Sequence, residues 1–421
     1  MTWTNARLGD FMRIEHGFAF KGEHFTDSGK HVVLTPGNFH EQGGFRARPD
    51  KDRFYAAAYP ERYLLNEGDL IVAMTEQGEG LLGSAALVPE ADKYLHNQRI
   101  GWVREKSGVA DRRFFYYLFN TDYVREQIRN SSSGAKVRHT SPERMYAVKV
   151  RVPSKDTQVR IAAVLSAYDD LIANSQRRIT LLEAMAEEIY REWFVRMRFP
   201  GHEAAVLVHG LPDGWAERFV SDVADINSHS VRRGQEPEVI RYVDISAVGT
   251  NEMVESEEMV YQHAPGRARR LVRHGDVLWS SVRPGNRAYC VVVEPPENLI
   301  ASTGFAVISP KPGTPFTYLH KAVTTQNFTD QMVAVAKGSA YPATSFDDFG
   351  KARIVWPKAD LLDTFDQITR PMYELVASLQ RASVSLQKQR DALLPRLISG
   401  KLKVDHLDIQ FPPSMQNKVT A

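Results

Sequence analysis

The stretch "GEGLLG" at residues 78–83 has the glycine spacing of a dinucleotide-binding loop. Such a loop binds a pyrophosphate through main-chain N–H groups at the start of a helix. Here Glu79 places a carboxylate inside the loop, and the following "SAALVPEAD" is typical of a strand and a turn. A similar position later in the chain, "RPGNRAY", lacks the glycines. The pattern therefore favours a hairpin loop over a nucleotide site.

Other patterns that carry chemistry do not occur. None of the three Gly-Lys pairs is followed by Ser or Thr, as a triphosphate-binding loop requires. The Pro-Pro pairs, "EPPE" and "FPPS", do not form the Asn/Asp-Pro-Pro-aromatic loop of amino-methylation, and no Glu-x-Lys triplet or Gly-x-Ser-x-Gly elbow is present. One Cys and 13 scattered His do not predict a zinc site. The sequence predicts no catalytic, cofactor or metal site.

Polar loops in both halves of the chain carry side chains that can bind base edges and phosphates. Arg pairs with guanine or phosphate, and Asn or Gln pairs with adenine. The candidate DNA-binding residues of the first half are Thr75, Gln77, Asn97, Gln98, Arg99, Lys136, Arg138, His139 and Thr140. Those of the second half are Ser281, Arg283, Asn286, Arg287, Ser302, Thr303, Lys337, Ser339, Tyr341 and Thr344.

Composition agrees with a globular protein of more than one domain. The 421 residues are 43% hydrophobic and 25% charged, and no apolar run is long enough to cross a membrane. A single cysteine, Cys290, fits a reducing compartment, so we expect a cytoplasmic location. Net charge is only +2, but residues 129–155 carry a local charge of +6 and residues 267–287 one of +5. Two basic clusters, one in each half, favour a polyanionic partner.

The chain contains an internal repeat. Asp10 in "WTNARLGDF" recurs as Asp222 in "WAERFVSDV", and the Gly-Asp pair of "YLLNEGDLIVAM" recurs in "RLVRHGDVLWSSV". "GAKVRHTSPERMYAVKVRVP" aligns without a gap on "GSAYPATSFDDFGKARIVWP". In each copy, short strands precede a helix, a polar Gly/Ser/Thr loop and a last strand that ends at proline. Each copy is therefore predicted to be a mixed α/β domain.

A long helix follows each copy. Apolar residues recur at alternating intervals of four and three, which is the spacing of a coiled-coil seam. The predicted seam consists of Ile172, Ile179, Leu182 and Ile189 in the first helix and Val376, Leu379, Leu386 and Leu393 in the second. Ser383 and Arg390 interrupt the second seam, and Pro371 predicts a late start or a kink there. We expect the two helices to pack against each other, with Trp193 and Phe194 against the second domain.

These features resemble the specificity subunit of type I restriction–modification enzymes. The resemblance is carried by the domain starts "W…LGD" and "GW…SD", by "VPSKDTQVRIAAVLSAYDDLI" and "LLEAMAEEIYREWF", and by the closing "LLPRLISGKL". The start of the first helix has the family's Pro153, Gln158, Ile161 and Ala162, whereas the second copy reads "PKADLLDTFDQI", with Thr364 or a neighbour in the role of the glutamine.

The resemblance implies an α+β fold with two duplicated α/β target recognition domains, separated by two long helices packed as an antiparallel coiled coil. The predicted boundaries are 1–155 for the first domain, 156–197 for the first spacer helix, 198–358 for the second domain and 359–403 for the second helix. Residues 404–421 are a tail that is a candidate for disorder.

The implied function is sequence-specific binding of double-stranded DNA. Each domain would read half of a bipartite asymmetric target, and the helices would set the unread spacer. This chain would have no cofactor and no catalytic activity. Two methylation subunits would supply adenine-N6 methylation with S-adenosylmethionine, and restriction subunits would supply ATP- and Mg²⁺-dependent cleavage. Two alternatives remain open from the sequence: a fused restriction–modification enzyme or a nuclease with an unfamiliar site, and a protein-binding scaffold without DNA contact.

Overall fold

A computed structural model describes residues 3–77, 80–254 and 256–416. The chain divides into two compact units. Unit 1 comprises Met1–Ala173 and Val384–Ala421, and unit 2 comprises Asn174–Ser383. The division falls inside both long helices, so each unit contains one sequence repeat together with a segment of each helix.

Unit 1 is built from short strands and helices. Its strands are β1 (Thr4–Arg7), β2 (Met12–His16), β3 (Phe25–Thr26), β4 (Val32–Val33), β5 (Phe54–Tyr55), β6 (Leu70–Ala73), β7 (Thr75–Glu76), β8 (Ala85–Leu87), β9 (Tyr94–Leu95), β10 (Ile100–Glu105), β11 (Arg138–His139) and β12 (Lys149–Val152). Its helices are α1 (Arg112–Phe119), α2 (Asp122–Asn130) and α3 (Pro142–Tyr146), followed by the start of α4 (Lys155–Tyr190).

Unit 2 is also built from short strands and helices. Its strands are β13 (Leu207–Val208), β14 (Leu211–Pro212), β15 (Ala216–Phe219), β16 (Ala224–Ile226), β17 (Val239–Val243), β18 (Glu257–Val260), β19 (Ala268–Leu271), β20 (Val277–Ser280), β21 (Tyr289–Val291), β22 (Leu299–Ser302), β23 (Phe305–Pro310) and β24 (Arg353–Trp356). Its helices are α5 (Val220–Val223), α6 (Phe316–Ala322), α7 (Gln326–Val335), α8 (Phe346–Lys351) and most of α9 (Ala359–Ile398).

The sheets confirm the duplication. The antiparallel sheet β2-β10-β6-β8 of unit 1 corresponds to β16-β23-β20-β21 of unit 2, and the pair β1-β12 corresponds to β15-β24. A second sheet in each unit contains one parallel pair, β4-β9 or β17-β22. The central strands β6 and β20 are buried along their whole length, which agrees with their continuous apolar sequences.

The repeated Gly-Asp pair forms the same turn in both units. Gly68 and Gly275 have φ values of +79° and +83°, a conformation that side chains disfavour. The next residue, Asp69 or Asp276, accepts a hydrogen bond from the main-chain N–H three residues earlier, at 2.8 and 2.7 Å. The aspartate therefore closes the turn that leads into the central strand.

Each long helix is continuous in the structure. α4 has 36 residues and is followed by a π-helical turn, Arg191–Val195. α9 has 40 residues and runs through Pro371. The predicted late start of the second helix is wrong, because α9 begins at Ala359. Leu362, which stands where the first repeat has Gln158, is buried in an apolar cluster with Phe365 and anchors this first turn.

The sequence assigned the role of the glutamine to Thr364 or a neighbour, and Thr364 itself does not take it. Gln158 is fully buried, accepts a hydrogen bond from Asp111 N and donates to the carbonyls of Val109 and Pro153. Thr364 is exposed, and its hydroxyl donates only to the carbonyl of Asp360 in its own helix. The first helix thus starts with a polar anchor to its domain, whereas the second starts with apolar packing.

Segments of the two long helices pack antiparallel within each unit. In unit 1, Ile161 and Leu165 share a core with Leu397, while Asp169 pairs with Arg390 at 2.6 Å. Of the predicted seam, Ile179 and Leu379 are buried. The half-buried seam residues are Ile172, Leu182, Ile189, Val376, Leu386 and Leu393.

In unit 2, the end of α4 packs against the start of α9. Phe194 contacts Phe365 with ring centroids 5.1 Å apart, and Ala186 shares a cluster with Tyr373. Phe194 and Trp193 also pack with the aromatic core of this unit, as the sequence predicted.

The two polar side chains that interrupt the seam, Ser383 and Arg390, both have hydrogen-bond partners. Ser383 donates to the carbonyl of Leu379 at 2.8 Å. Arg390 binds Asp169, which also accepts a hydrogen bond from the Tyr117 hydroxyl at 2.5 Å. Burial of Tyr117 beside Asp169 raises the pKa of its hydroxyl well above the usual value. These partners remove the cost of placing polar groups in a helix seam.

The part of the C-terminal tail that the structure describes is ordered on unit 1. Val404 is buried in the core, and the main-chain N–H of Ser414 donates to Asp170 at 2.9 Å. Arg113 donates to the hydroxyl of Ser414. The expectation of disorder is therefore wrong for residues 404–416, and residues 417–421 lie outside the described part.

Candidate nucleic-acid interface

Three polar segments that are distant in sequence meet in unit 1. The main-chain N–H of Met74, at the end of β6, donates to the carbonyl of Arg99 at 3.1 Å, and the carbonyl of Met74 accepts from Thr140 N at 3.0 Å. Strand β7 pairs with β11, which places Thr75 opposite His139 and Glu76 opposite Arg138. The three predicted loops of the first repeat therefore form one surface.

The same arrangement recurs in unit 2. Ser281 N donates to the carbonyl of Gly304 at 2.9 Å, and the carbonyl of Ser281 accepts from Thr344 N at 2.9 Å. Val282 bridges Ala343 in an antiparallel pair. Each unit thus carries one cluster, in which the end of the central strand joins a short loop and a Gly/Ser/Thr hairpin.

Most candidate side chains of unit 1 are exposed. Thr75 and Asn97 are half-buried, and Thr140 is buried. The Thr75 hydroxyl lies 3.2 Å from His139 Nδ1, and the Asn97 side chain accepts from Arg99 N at 3.2 Å. The exposed candidates are Gln77, Gln98, Arg99, Lys136, Arg138 and His139.

The candidates of unit 2 divide into two groups. Ser281, Ser302 and Thr344 are buried, and their hydroxyls make hydrogen bonds inside the unit, for example Thr344 Oγ1 to the carbonyl of Met332 at 2.9 Å. Thr303 and Arg287 are half-buried. The exposed candidates are Arg283, Asn286, Lys337, Ser339 and Tyr341. The buried group shapes the cluster, and the exposed group is available to a ligand.

Sequence reasoning missed two residues that hold the unit 1 cluster. The carboxylate of Glu76 is buried and accepts hydrogen bonds from the main-chain N–H groups of Gly80, Leu81 and Leu82, at 3.1, 2.9 and 2.8 Å. These are N–H groups that a phosphate would need in a dinucleotide loop, and a side chain of the protein already binds them. Gly78 and Glu79 of that loop lie outside the described residues.

Arg144 is the second such residue. Its guanidinium donates to the Ser133 hydroxyl at 2.9 Å and to the carbonyl of His139 at 3.4 Å, which braces the hairpin. Its position three residues after the helix cap Ser141 was a possible signal, because it directs a long side chain back over the hairpin.

Two buried titratable groups near the clusters, His96 and Cys290, are neutral near pH 7. His96 precedes the Asn97–Arg99 loop, and its Nε2 donates to the carbonyl of Ile100 at 2.7 Å. Burial lowers the pKa of His96 to about 4, so it adds no positive charge near pH 7. In unit 2, burial raises the pKa of the Cys290 thiol to about 12, which leaves it unreactive.

Within residues 3–77, 80–254 and 256–416, no group of three His, Cys, Asp or Glu side chains could hold a metal ion. No helix in the same part of the chain is long and apolar enough to span a membrane.

The chain is similar to type I restriction specificity subunits. Residues 1–184 match the family model described as the type I restriction modification DNA specificity domain. The MjaIX specificity subunit of Methanocaldococcus jannaschii is 25% identical over 74% of this chain and 73% of its own length. The HindI specificity subunit of Haemophilus influenzae is 25% identical over 42% of this chain and 39% of its own length.

A solved structure shows the same fold. The S subunit of a type I restriction–modification system from M. genitalium aligns with a TM-score of 0.60 and 15% identity, over 94% of this chain and 96% of that one. This likeness shows the fold, and the family model matches the first 184 of the 421 residues.

Proposed function

We propose that this chain is the DNA-reading subunit of a type I restriction–modification complex. Each unit reads one half of a bipartite target through its cluster of polar loops. The long helices set the number of unread base pairs between the halves. The chain itself is not catalytic, and it acts in the cytoplasm.

The observation that carries the proposal is the pair of equivalent clusters. Both have the same main-chain hydrogen bonds, but they expose different side chains, such as Gln98 and Arg99 in unit 1 and Arg283 and Tyr341 in unit 2. Two clusters with the same main-chain arrangement but different exposed side chains are suited to two half-sites of different sequence. This supports an asymmetric target.

The chemical steps belong to partner subunits in this proposal. Two methylation subunits bring S-adenosylmethionine and methylate adenine N6, and restriction subunits bring ATP-driven, Mg²⁺-dependent cleavage. A docking surface is suggested by exposed apolar side chains on the long helices in unit 2. Leu181 and Met185 are 63% and 52% exposed on α4, and Ile368 and Leu375 are 40% and 37% exposed on α9. Their spacing of four and seven residues puts each pair on one helix face.

A domain exchange tests the proposal. Residues 1–155 are replaced by the corresponding region of another specificity subunit, and methylated sequences are mapped in cells that also express the methylation subunit. We expect one half of the methylated sequence to change and the other half to persist. A change in both halves, or in neither, contradicts the assignment of one half-site to each unit.

Two alternatives make different predictions. If the chain were a fused enzyme or a nuclease, the purified chain alone would methylate or cleave DNA when supplied with S-adenosylmethionine or Mg²⁺. If it were a scaffold without DNA contact, its complex with the methylation subunit would not bind duplex DNA. We expect binding by that complex, with an affinity that falls steeply as salt concentration rises.

A further inference from the structure

Two arginines flank one tight turn in the unit 2 cluster. Arg283 and Arg287 lie on either side of the 3₁₀ turn Pro284–Asn286, with φ values of +50° and +54°. Residues with a side chain rarely adopt this left-handed conformation, so the surrounding contacts must hold the turn. Pro284 is buried, and Arg283 N donates to the carbonyl of Pro342 at 2.7 Å.

The guanidinium of Arg287 is bound by other groups of unit 2. It donates to the Tyr289 hydroxyl at 2.6 Å, to the side chain of Gln326 at 3.3 Å and to the carbonyl of Thr324 at 3.4 Å. Arg287 is half-buried, and its contacts tie the turn to the strand β21 and to the start of α7. It therefore acts as a brace.

The guanidinium of Arg283 makes few polar contacts within the described part of the chain. It makes one long hydrogen bond, to the carbonyl of Ala340 at 3.4 Å, and no ion pair with any carboxylate of the described residues. It lies over the ring of Tyr341, with Cζ 4.6 Å from the ring centroid, and Tyr341 is 70% exposed at the tip of the hairpin. Stacking orients the planar group and leaves its N–H donors free.

We propose that Arg283, held on the ring of Tyr341, reads one guanine in the half-site of unit 2. This inference rests on the proposed DNA-reading function. Guanine presents O6 and N7 side by side in the major groove, which matches the fork of a guanidinium whose plane is set in advance. A phosphate can also accept two N–H bonds from an arginine, but that contact would weaken binding equally for all base sequences.

The equivalent position in unit 1 supports a role in one half-site only. Glu76 lies two residues after Met74, as Arg283 lies two residues after Ser281. Glu76 faces Arg138 in its hairpin, and Arg283 faces Pro342 at the equivalent position of the other hairpin. The Glu76 carboxylate is buried against its own loop. Unit 1 therefore lacks this arginine, and the contact distinguishes the two halves.

The experiment measures binding of the complex of this chain with its methylation subunit to duplexes carrying each single-base change in the unit 2 half-site. For the wild type, we expect one G·C position whose replacement weakens binding about tenfold or more. Arg283→Ala should abolish that preference and keep the preferences at the other positions. Arg283→Lys retains the charge and can still donate to guanine, but it lacks the planar fork that stacks on Tyr341, so it should weaken the preference less than Arg283→Ala does. Arg233→Ala, at an exposed arginine outside the loops, serves as the control.

A second pair of variants tests the ring. Tyr341→Leu should weaken the preference for guanine at the same position, whereas Tyr341→Phe retains the ring and should weaken it less. The inference is overturned if Arg283→Ala weakens binding to all duplexes equally, or if no guanine preference depends on Arg283. If the wild-type complex shows no sequence preference at all, the proposed DNA-reading function itself fails.

Discussion

At the scale of single residues, a buried polar side chain connects elements of unit 1 through hydrogen bonds to the main chain. Gln158 is fully buried and spans three main-chain groups, so it connects the start of α4 to the loop before α1. No apolar residue can replace these bonds without leaving main-chain groups unpaired. The sequence marks this residue as part of a helix-start pattern, but its partners are visible only in the fold.

We predict that Gln158→Ala destabilises unit 1 by about 2–4 kcal/mol, because Asp111 N–H and two carbonyls lose a buried partner. Urea unfolding monitored by tryptophan fluorescence measures the change. Thr364→Ala, at the exposed threonine of the second repeat, should change stability by less than about 0.5 kcal/mol. Equal effects of the two changes would contradict the assigned role of Gln158.

His96 gives unit 1 a pH-dependent stability. Burial lowers its pKa to about 4 in the folded chain, below the usual value of 6.5, so the unfolded chain binds an extra proton between these values. Stability from this residue is therefore complete above pH 6.5 and is lost as pH falls toward 4.

The expected loss is up to about 3 kcal/mol between pH 7 and pH 4. Urea denaturation at several pH values measures it. His96→Gln removes the titrating group, so the stability of this variant should vary less between pH 7 and pH 4 than that of the wild type. An identical pH dependence for wild type and variant would show that other groups dominate.

At the scale of elements, the long helices combine a buried seam with an exposed apolar face. The seam residues Ile179 and Leu379 are buried, whereas Leu181 is 63% exposed and Leu375 is 37% exposed. The aromatic end of α4 packs into the core of unit 2 through Tyr190 and Phe194. Under the proposed function, we expect these exposed apolar side chains to contact the methylation subunit.

We expect the double change Leu181→Glu and Leu375→Glu to reduce the amount of methylation subunit that copurifies with this chain by at least about tenfold. Charges at a buried apolar contact would lose their hydration without finding a partner. Both side chains are exposed in the chain alone, so its stability should change little. Gln367→Glu adds a charge at another exposed position of α9 and should leave assembly intact. Normal copurification of the double variant would exclude this face as the docking surface.

At the scale of the whole molecule, the proposed function makes the distance between half-sites part of the specificity, because both reading units lie on one chain. Under the proposed function, an insertion of seven residues in both α4 and α9 retains the four-three spacing of the seam. It lengthens each helix by about 10.5 Å.

This length corresponds to about three base pairs at about 3.4 Å each. Mapping methylated sites should therefore show the same two half-sites with an unread spacer about three base pairs longer. An insertion of five residues rotates the seam by about 140° and should abolish methylation. An unchanged spacer with the seven-residue insertion would contradict the spacer role.

The sequence by itself determined the features that depend on local pattern and on repetition. The paired Gly-Asp turns and the spacing of the long helices both follow from residues close in the chain. Duplication then predicts the same domain twice, because two similar segments must bury similar faces.

Only the tertiary structure decided which polar side chains are free. Ser281, Ser302 and Thr344 resemble the exposed candidates in the sequence, but the strands bring main-chain partners to them. Arg283 and Arg287 are four residues apart in one loop, yet one guanidinium stacks on a distant tyrosine and the other is bound by groups near residue 325. Tyr341, Thr324 and Gln326 lie tens of residues away from these arginines, so the role of each arginine depends on contacts that no local pattern contains.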